Sequence, residues 1–461
     1  MAISIFLLIV YTSFIGLVLK KTFEGDAYYL LLYILFLLPF YTSFQMAIFK
    51  GFELVPLVNM LKYSKDFVFF TGFFVFVFGA KQSFVTREWQ LTFLDKLILG
   101  FTLLTIVYML WPLGAATFLS KIIYAKNMFL LSIIYFLGRH TIIDAQRWHF
   151  IVKTVIFLTL FAFVLALVEK TGGFNIQRVL GYANYNLRVN DIAPTGSSGL
   201  SWTFEREGGL PRFAAFFANP LEFAASSLLF LSVALYYFFH SGFSRNRFAY
   251  LGLLGLIALS FLFSYSRGAM IAGVFLIFFT LFLEKRYRLL GTVFVLFVSV
   301  ILYVIFFASK ETQYFILDTL NFQNSSSLGH LLEWYQGVNS MIQNPMGIGL
   351  AMSGNANGVD QSIKIGGENQ FLIYGVQMGI TGLLLYGSIL FRGIKDSIKV
   401  FKKSNQQHIK SIAYIAAATK IGMLIPLFTA NAELYLFVAL FSWFLIGNTQ
   451  TNKIKGHNIL D

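Results

Sequence analysis

The chain has 461 residues, of which 57% are hydrophobic and 12% charged, and this balance excludes a soluble globular protein. It contains no cysteine, which excludes disulfides, thiol nucleophiles and cysteine-ligated metals. The net charge of +14 does not by itself indicate a nucleic-acid partner, because basic residues collect at the cytoplasmic ends of membrane spans. The positions of the basic residues relative to the spans have to be considered first.

Apolar segments predict an all-α polytopic integral membrane protein, since a spanning helix needs about 20 mostly apolar residues. The first segment ends at Lys20 and Lys21 without a small-residue cleavage site, which predicts a retained span and not a signal peptide. Two of the segments are short, so we expect 12 to 13 spans. The candidates lie near 2–19, 28–49, 66–80, 97–118, 121–138, 149–168, 213–239, 247–264, 268–283, 289–308, 369–391, 410–428 and 431–447.

The spans and the long connections divide the chain into five parts. These are an N-terminal bundle (1–168), a first external loop (169–212), four spans (213–308), a second external loop (309–367) and C-terminal spans with a tail (368–461). Alternate connections and the tail carry 21 of the 35 Lys and Arg residues, so we place that side and the C-terminus in the cytoplasm. The two long loops then share the outer face, and loops of this length are usually functional or disordered.

Two polar clusters lie at the predicted external face. In "GGLPRFAAFFANPLEFAASS", Arg212 ends the first loop, either as an interface anchor or as an anion ligand, and Glu222 follows inside a span, where a carboxylate must face the protein interior or a wet cavity. In "SFLFSYSRGAMIAG", Ser266 and Arg267 fall in a turn between two spans. Together with Lys364 of the second loop, these cations are suited to bind an anionic headgroup such as a diphosphate.

The second loop carries a third cluster. Apolar residues at helical spacing over 328–343 predict an amphipathic helix that either lies on the membrane or packs over the spans. His330 is on its flank, and a lone histidine is more often structural than functional. In "GGENQFLIYG", Glu368 and Asn369 are predicted in the first turn of the next helix, where they would cap free N–H groups. The same position suits a base that accepts a proton from a hydroxyl.

In order and spacing, these clusters resemble the O-antigen polymerase and O-antigen ligase superfamily of membrane glycosyltransferases. The resemblance rests on "PRFAAFFANP", "SYSRGA" and "GHLLEWYQGVNSMIQNPMGIGL" followed by "ENQFLIYGVQMGITGLLLY", over roughly residues 205–392. It implies a bacterial inner-membrane enzyme that acts outside the cytoplasm on undecaprenyl-diphosphate-linked donor and acceptor glycans, without cofactor or metal. Membrane lipid is a further implied partner and a chain-length regulator a candidate one, whereas nucleic acid is not expected.

The resemblance also implies roles for individual residues. Arg212 and Arg267 take the places of the diphosphate-binding arginines, and His330 stands where many members have another arginine. Glu368 stands where the ligases carry a catalytic histidine before Asn369, so the Glu-Asn pair looks more like the polymerase branch. Glu222, Ser266 and Lys364 would support the site.

Three alternatives to a polysaccharide polymerase remain at this stage. The ligase of the same superfamily is disfavoured by the missing loop histidine. A flippase or transporter gains some support from Lys420 and Glu222, which are ionisable residues within predicted spans, but no internal repeat is visible. A structural membrane protein would leave the charge placement unexplained.

Overall fold

The chain forms a bundle of helices in the computed structural model, as expected for an all-α polytopic membrane protein. The structure describes residues 1–79, 90–196, 198–206, 209–241, 245–307, 313, 325–354 and 365–457. Within these ranges there is no β-strand, and one isolated bridge joins Glu205 to Pro211. The all-α fold predicted from the sequence is therefore confirmed for the described part of the chain.

Seventeen α-helices are named here in chain order. They are α1 (Ala2–Phe23), α2 (Tyr28–Phe36), α3 (Tyr41–Phe52), α4 (Val55–Phe78), α5 (Phe93–Leu110), α6 (Phe118–His140), α7 (Ala145–Gly172), α8 (Ile176–Val179), α9 (Tyr182–Tyr185), α10 (Pro220–His240), α11 (Arg245–Ser264), α12 (Arg267–Leu283), α13 (Tyr287–Phe307), α14 (Ser325–Gln343), α15 (Gln370–Lys403), α16 (Gln407–Thr429) and α17 (Leu436–His457).

Nine of the described helices are long and apolar enough to cross a membrane. The number rises to ten if α2 and α3, which are bent by 62° at a short break, form one broken span. Two further apolar helices, α12 and Leu436–Thr451 of α17, are shorter. The thirteen segments expected from the sequence correspond to these ten, the two shorter helices and α4, which is not among the nine.

The centre of the bundle is formed by α10 and α16, which are buried along most of their length, whereas α13 buries none of its residues. Helix α17 packs along α6, and α16 packs between α10, α12 and α15. The peripheral helices leave large apolar side chains exposed, as a lipid-facing surface requires. The connection that carries Arg212 leads directly into α10, one of these two buried helices.

A buried ion pair joins the C-terminal helices. The ammonium of Lys420 in α16 lies 3.2 Å from the carboxylate of Glu433, and both side chains are almost fully enclosed. Glu433 also accepts hydrogen bonds from Tyr386 of α15 at 2.6 Å and from the indole of Trp443 of α17 at 3.0 Å. A charge at this depth is costly unless it is paired, so the network stabilises the packing of the three helices and gives Lys420 a structural partner.

The helical hydrogen bonding of α15 is interrupted in its first half, and a short loop supplies hydrogen-bond partners at the interruption. Residues Met378 and Gly379 have non-helical backbone angles, which releases carbonyl and N–H groups from the helical ladder. The segment 345–349 replaces the lost bonds: Ile348 and Gly349 donate to the carbonyls of Val376 and Gln377 at 2.9 and 3.2 Å, and Ile380 donates to the carbonyl of Pro345 at 3.0 Å. The break is thus satisfied by protein and needs no water.

The contact between the break in α15 and the segment 345–349 requires glycine at position 379. Gly379 has a φ of +69° and ψ of −169°, a region that only glycine adopts without strain. A Cβ at this position would lie 2.1 Å from the carbonyl oxygen of Pro345. Because that oxygen belongs to the backbone, it cannot move aside without disturbing the loop.

We therefore expect Gly379→Ala to destabilise the protein by at least about 3 kcal/mol, through backbone strain and the clash with Pro345. Gly387→Ala is the matched control, because Gly387 lies in the same helix with open space around it. The control should stay within about 1 kcal/mol of the wild type, since alanine is the better helix former. Thermal unfolding of the purified protein in detergent measures both changes, and equal midpoints for the two variants would contradict the break in α15.

Candidate active site

Arg212 is half-buried in the connection between α9 and α10 and is fixed at one end of its guanidinium. Its Nε donates to the carbonyl of Ser264 at 2.9 Å, while its own carbonyl accepts from the amide of Asn175 at 2.8 Å. Its two terminal nitrogens form no hydrogen bond with any residue that the structure describes. The two terminal nitrogens of the Arg212 guanidinium are therefore available to bind an anion.

The pKa of Arg212 is lowered to about 10, chiefly by burial, with Tyr435 opposing the change and the neighbouring cation Arg267 adding to it. Arg212 still remains charged at neutral pH. Arg212 and Arg267, which come from separate motifs, are near each other, since they repel and the Nε of Arg212 binds the carbonyl of Ser264 three residues before Arg267. Two cations held together in a partly buried place favour a ligand with more than one negative charge.

A buried carboxylate holds the backbone around Arg212. Glu169, in the last turn of α7, accepts backbone hydrogen bonds from Ile176 and Ala215, both at 2.8 Å, and from Ala214 at 3.2 Å. Gln177 adds two bonds by donating to the carbonyls of Ala215 and Phe217. The sequence analysis missed Glu169, although a carboxylate at the predicted end of a span is the kind of signal that could have found it.

The turn between α11 and α12 brings the second motif to Arg212. Backbone N–H of Phe213 donates to the carbonyl of Phe263 at 3.2 Å, which joins the two connections directly. Ser266 is the N-cap of α12, where its hydroxyl accepts from the N–H of Ala269 at 3.4 Å, and Arg267 is the first residue of that helix. Ser266 therefore has a local capping role that also orients the start of α12.

Glu222 is buried and lies in the first turn of α10, because the helix begins at Pro220 and not near 213 as expected. Asn219 caps this helix by accepting from the N–H of Glu222 at 2.9 Å, and the Glu222 carboxylate accepts from the N–H of Ala218 at 3.3 Å. These bonds stabilise the bend that leads from Arg212 into the bundle. Its described contacts are thus those of a loop-fixing residue.

Helix α14 turns its polar side to the protein. The residues of the buried and half-buried face are small or polar for the most part: Ser327, His330, Glu333, Trp334, Gly337, Ser340 and Met341. The predicted apolar stripe is largely exposed at Leu328, Leu331, Leu332, Tyr335 and Val338. Gly337 is covered by Leu372 of α15. The helix is therefore packed over α15 by its polar face, with an apolar face suited to lipid.

This packing brings His330 to Glu368. The Nδ1 of His330 lies 2.7 Å from a carboxylate oxygen of Glu368, and the Glu368 side chain is 42% exposed. The angle at the ring nitrogen is not that of an aligned hydrogen bond. The resemblance assigns His330 to diphosphate binding, but its contact in the structure is with the candidate base, a pairing that the sequence analysis did not predict.

Glu368 does not cap the following helix, contrary to the expectation that it lies in the first turn. Helix α15 begins at Gln370 and its N-cap is Asn369, whose side-chain oxygen accepts from the N–H groups of Phe371 and Leu372 at 3.0 and 3.2 Å. Because one capping residue is enough, the carboxylate of Glu368 is left free to point elsewhere. Lys364, which we predicted to support the site, lies outside the described residues.

Tyr435 connects the two halves of the site and was also missed. It lies in the connection between α16 and α17, is half-buried, and interacts electrostatically with Arg212, Glu222 and Glu368. Burial raises the pKa of its phenol, the two carboxylates raise it further, and Arg212 lowers it. The hydroxyl therefore stays protonated and can donate to an anion. No sequence motif singles out this tyrosine.

Chemically, the site offers cations, a carboxylate–imidazole pair and a phenol. Nowhere in the described ranges do three or more His, Asp or Glu side chains form a group that could hold a metal ion. The fold and these side chains define a polytopic membrane protein whose cations, carboxylate–imidazole pair and phenol lie at the connections between its helices.

A more specific class comes from comparison with known families. Residues 251–387 match the family model described as O-antigen ligase. This match confirms that the chain resembles the O-antigen polymerase and ligase superfamily. It extends from α11 into α15 and so includes Arg267, His330 and Glu368 but not Arg212. A comparison with curated proteins found no match.

Glu333 gives a prediction that does not depend on the reaction. Burial raises the pKa of its carboxyl and Glu368 raises it further, while His330 and the backbone N–H of Glu368 lower it. If the pKa of a carboxyl is higher in the folded than in the unfolded state, the free energy of unfolding decreases as the pH rises from the unfolded-state pKa through the folded-state pKa. We expect Glu333→Gln, which does not titrate, to be increasingly more stable than the wild type as the pH rises from about 4 to 8. Thermal unfolding in detergent across this range measures the difference, and a difference that shrinks with rising pH would contradict the prediction.

Proposed function

We propose that the protein is a membrane glycosyltransferase that polymerises undecaprenyl-diphosphate-linked oligosaccharide repeat units into a surface polysaccharide. The family match supports polymerase- or ligase-type chemistry in general. The observation that carries the finer proposal is that Arg212 is near both Arg267 and Tyr435, while Tyr435 is also near Glu368. This arrangement supplies an anion site for a leaving group next to a proton acceptor.

In the proposed reaction, a hydroxyl oxygen of the acceptor glycan attacks the anomeric carbon of the donor. The new bond joins this oxygen to the anomeric carbon, and the bond between the anomeric carbon and the diphosphate oxygen breaks. The electron pair leaves with the lipid diphosphate, whose added charge is stabilised by Arg212 and Arg267. The hydroxyl proton passes to Glu368.

His330 would orient the base in this scheme. Its ring lies against the Glu368 carboxylate, and a carboxylate with one oxygen fixed presents the other in a defined direction. The carboxylate of Glu333 lies close enough to the backbone N–H of Glu368 to interact with it. These contacts support a positioned carboxylate and not a mobile loop residue.

The polymerase is preferred to the ligase because Glu368 stands where the resemblance implies a histidine in ligases. The flippase alternative loses part of its support, since Lys420 pairs with Glu433 inside the bundle and Glu222 binds the local backbone.

We further propose that the protein lies in the cytoplasmic membrane of a bacterium, with the site on the outer face and the C-terminus in the cytoplasm. We propose a chain-length regulator as its partner.

Replacement of the base is the main test. Glu368→Gln keeps the shape of the side chain and removes the proton acceptor, so we expect the polymerisation rate to fall about 10²- to 10⁴-fold at unchanged protein abundance. The measurement is product length after incubation of the purified enzyme with lipid-linked repeat units. Glu53→Gln is the control, because Glu53 is an exposed carboxylate paired only with Arg188 in the described residues, and it should leave the product ladder intact.

His330→Asn separates the two members of the pair in the same assay. A moderate loss, smaller than that of Glu368→Gln, is expected for an orienting role. If His330→Asn abolished polymerisation while Glu368→Gln retained most of it, the base would be the imidazole and the proposed assignment would be wrong.

The arginine fork gives a second test. In Arg212→Lys the single ammonium cannot bind the carbonyl of Ser264 and an anion with the same geometry, so we expect the rate to fall about 10- to 100-fold. Arg188→Lys in the same connection is the matched control, since its guanidinium is exposed and paired with Glu53. Steady-state kinetics on the two purified variants measures the effect. Equal activity of both variants would mean that Arg212 is only an interface anchor.

A further inference from the structure

A second group of cations lies outside the site described above. Lys65 of α4 and Lys126 of α6 pair with one carboxylate, that of Asp66, and Lys62 of α4 lies close to both lysines. Lys65 lies 3.0 Å from one oxygen of Asp66, and Lys126 contacts the other oxygen. Lys62 and Lys65 are both close enough to Lys126 to experience its repulsion. We name these four residues the lysine cluster.

The lysine cluster has more positive charge than its own carboxylate can balance. Three ammonium groups and one carboxylate leave a net charge of +2, and within the described part of the chain Lys62 meets no acidic side chain. The side chains of Lys65 and Lys126 are only 13% and 28% exposed, so they do not reach freely into water as anchoring lysines do. An uncompensated charge at such a place is expensive, which indicates a missing anion.

The cluster is on the same side of the protein as Arg212. The ammonium of Lys62 donates to the side chain of Asn190 at 2.8 Å, and Asn190 belongs to the connection that leads to Arg212. Tyr41 of α3 joins the two regions: its hydroxyl donates to the carbonyl of Lys62, and two residues later Ser43 donates to the carbonyl of Phe216 at 2.7 Å. The segment that carries Arg212 is thus bound to both cation groups.

The surroundings of the cluster fit a ligand that is attached to a lipid. Lys126 lies 5.8 Å from the ring centroid of Tyr63, which is 63% exposed on the outer surface of α4. Met60 and Phe67 flank this tyrosine and are also strongly exposed. An anionic headgroup could therefore reach the lysines from the side, between α4 and α6, while its hydrocarbon chain stays in the membrane.

We propose that the lysine cluster binds the diphosphate of a second polyprenyl-linked substrate, separate from the one held by Arg212 and Arg267. A polyprenyl diphosphate ester carries about two negative charges, which matches the net charge of the cluster. This inference rests on the proposed function, because joining two lipid-linked glycans requires both lipid diphosphates at one face of the protein. The ordinary alternative with the same chemistry is a phosphate-bearing membrane phospholipid.

The test counts bound lipid on the full-length protein. Purified wild type in phosphatidylcholine nanodiscs is titrated with undecaprenyl diphosphate, and native mass spectrometry after release counts the bound molecules. We expect two for the wild type and one for Lys62→Gln/Lys126→Gln, whose remaining affinity at the cluster should fall about 10- to 100-fold. Arg212→Gln/Arg267→Gln should also bind one, and combining the four changes should leave none.

Two controls separate charge loss from misfolding. Lys62→Arg/Lys126→Arg keeps the charge and should restore the second bound molecule. Lys50→Gln removes a charge from an exposed lysine that donates to the carbonyl of Val179 on the same side, and it should still bind two. A double glutamine variant that binds two molecules with wild-type affinity would overturn the proposal, as would a wild type that binds only one.

The phospholipid alternative is tested by repeating the titration with phosphatidylglycerol in the nanodiscs. If phosphatidylglycerol displaces the second molecule at equal concentration, the cluster is a general phospholipid site and the proposal is overturned.

The proposed function is tested separately from the second site. A wild type that binds two lipid diphosphates but joins no repeat units would contradict the polymerase and leave the second site standing, whereas polymerisation with one bound lipid would contradict only the second site.

Discussion

The candidate site depends on one constraint: backbone groups that are buried at the end of a membrane bundle must find their hydrogen-bond partners within the protein. Around Arg212 the partners are side chains, since Glu169 and Gln177 bind the irregular backbone at 214–217 from the neighbouring segment. In the second loop the partner is another backbone, because the break in α15 pairs with the segment 345–349. Both sets of hydrogen bonds hold a loop in a defined conformation, and a site for a charged ligand requires such rigid support.

The unusual orientation of α14 follows from a second property of the membrane, its apolar hydrocarbon interior. An amphipathic helix on a soluble protein buries its apolar side, but this helix keeps its small and polar side against α15 and exposes leucine, valine and tyrosine. Such an arrangement is stable only where the exposed side meets lipid. As a result the polar face, with His330 and Glu333, is directed towards Glu368 and is shielded by the helix itself.

The sequence predicted the helices well, because about 20 apolar residues in succession have few structural alternatives in a membrane. The order of the spans also predicted Arg212, Arg267 and Glu368 at one external face, whereas their separate roles came from the resemblance to a family. It could not predict that Asn369 alone would cap α15, since Glu368 and Asn369 are both acceptable capping residues. Pairings across long separations, such as His330 with Glu368 or Lys420 with Glu433, depend on packing angles that no local pattern encodes.

The two cation groups differ in a way that fits two different demands. Arg212 uses its Nε on the Ser264 carbonyl, so its remaining donors are fixed in direction before any ligand arrives. A guanidinium held in this way suits a leaving group whose position must be constant during bond cleavage. The lysines around Asp66 are point charges on flexible stems and impose little direction. They suit a headgroup that is held by charge alone and can move while its glycan is positioned. The chemical difference between arginine and lysine is therefore the physical reason why we propose Arg212 and Arg267 for the donor diphosphate, and the lysine cluster for the second lipid.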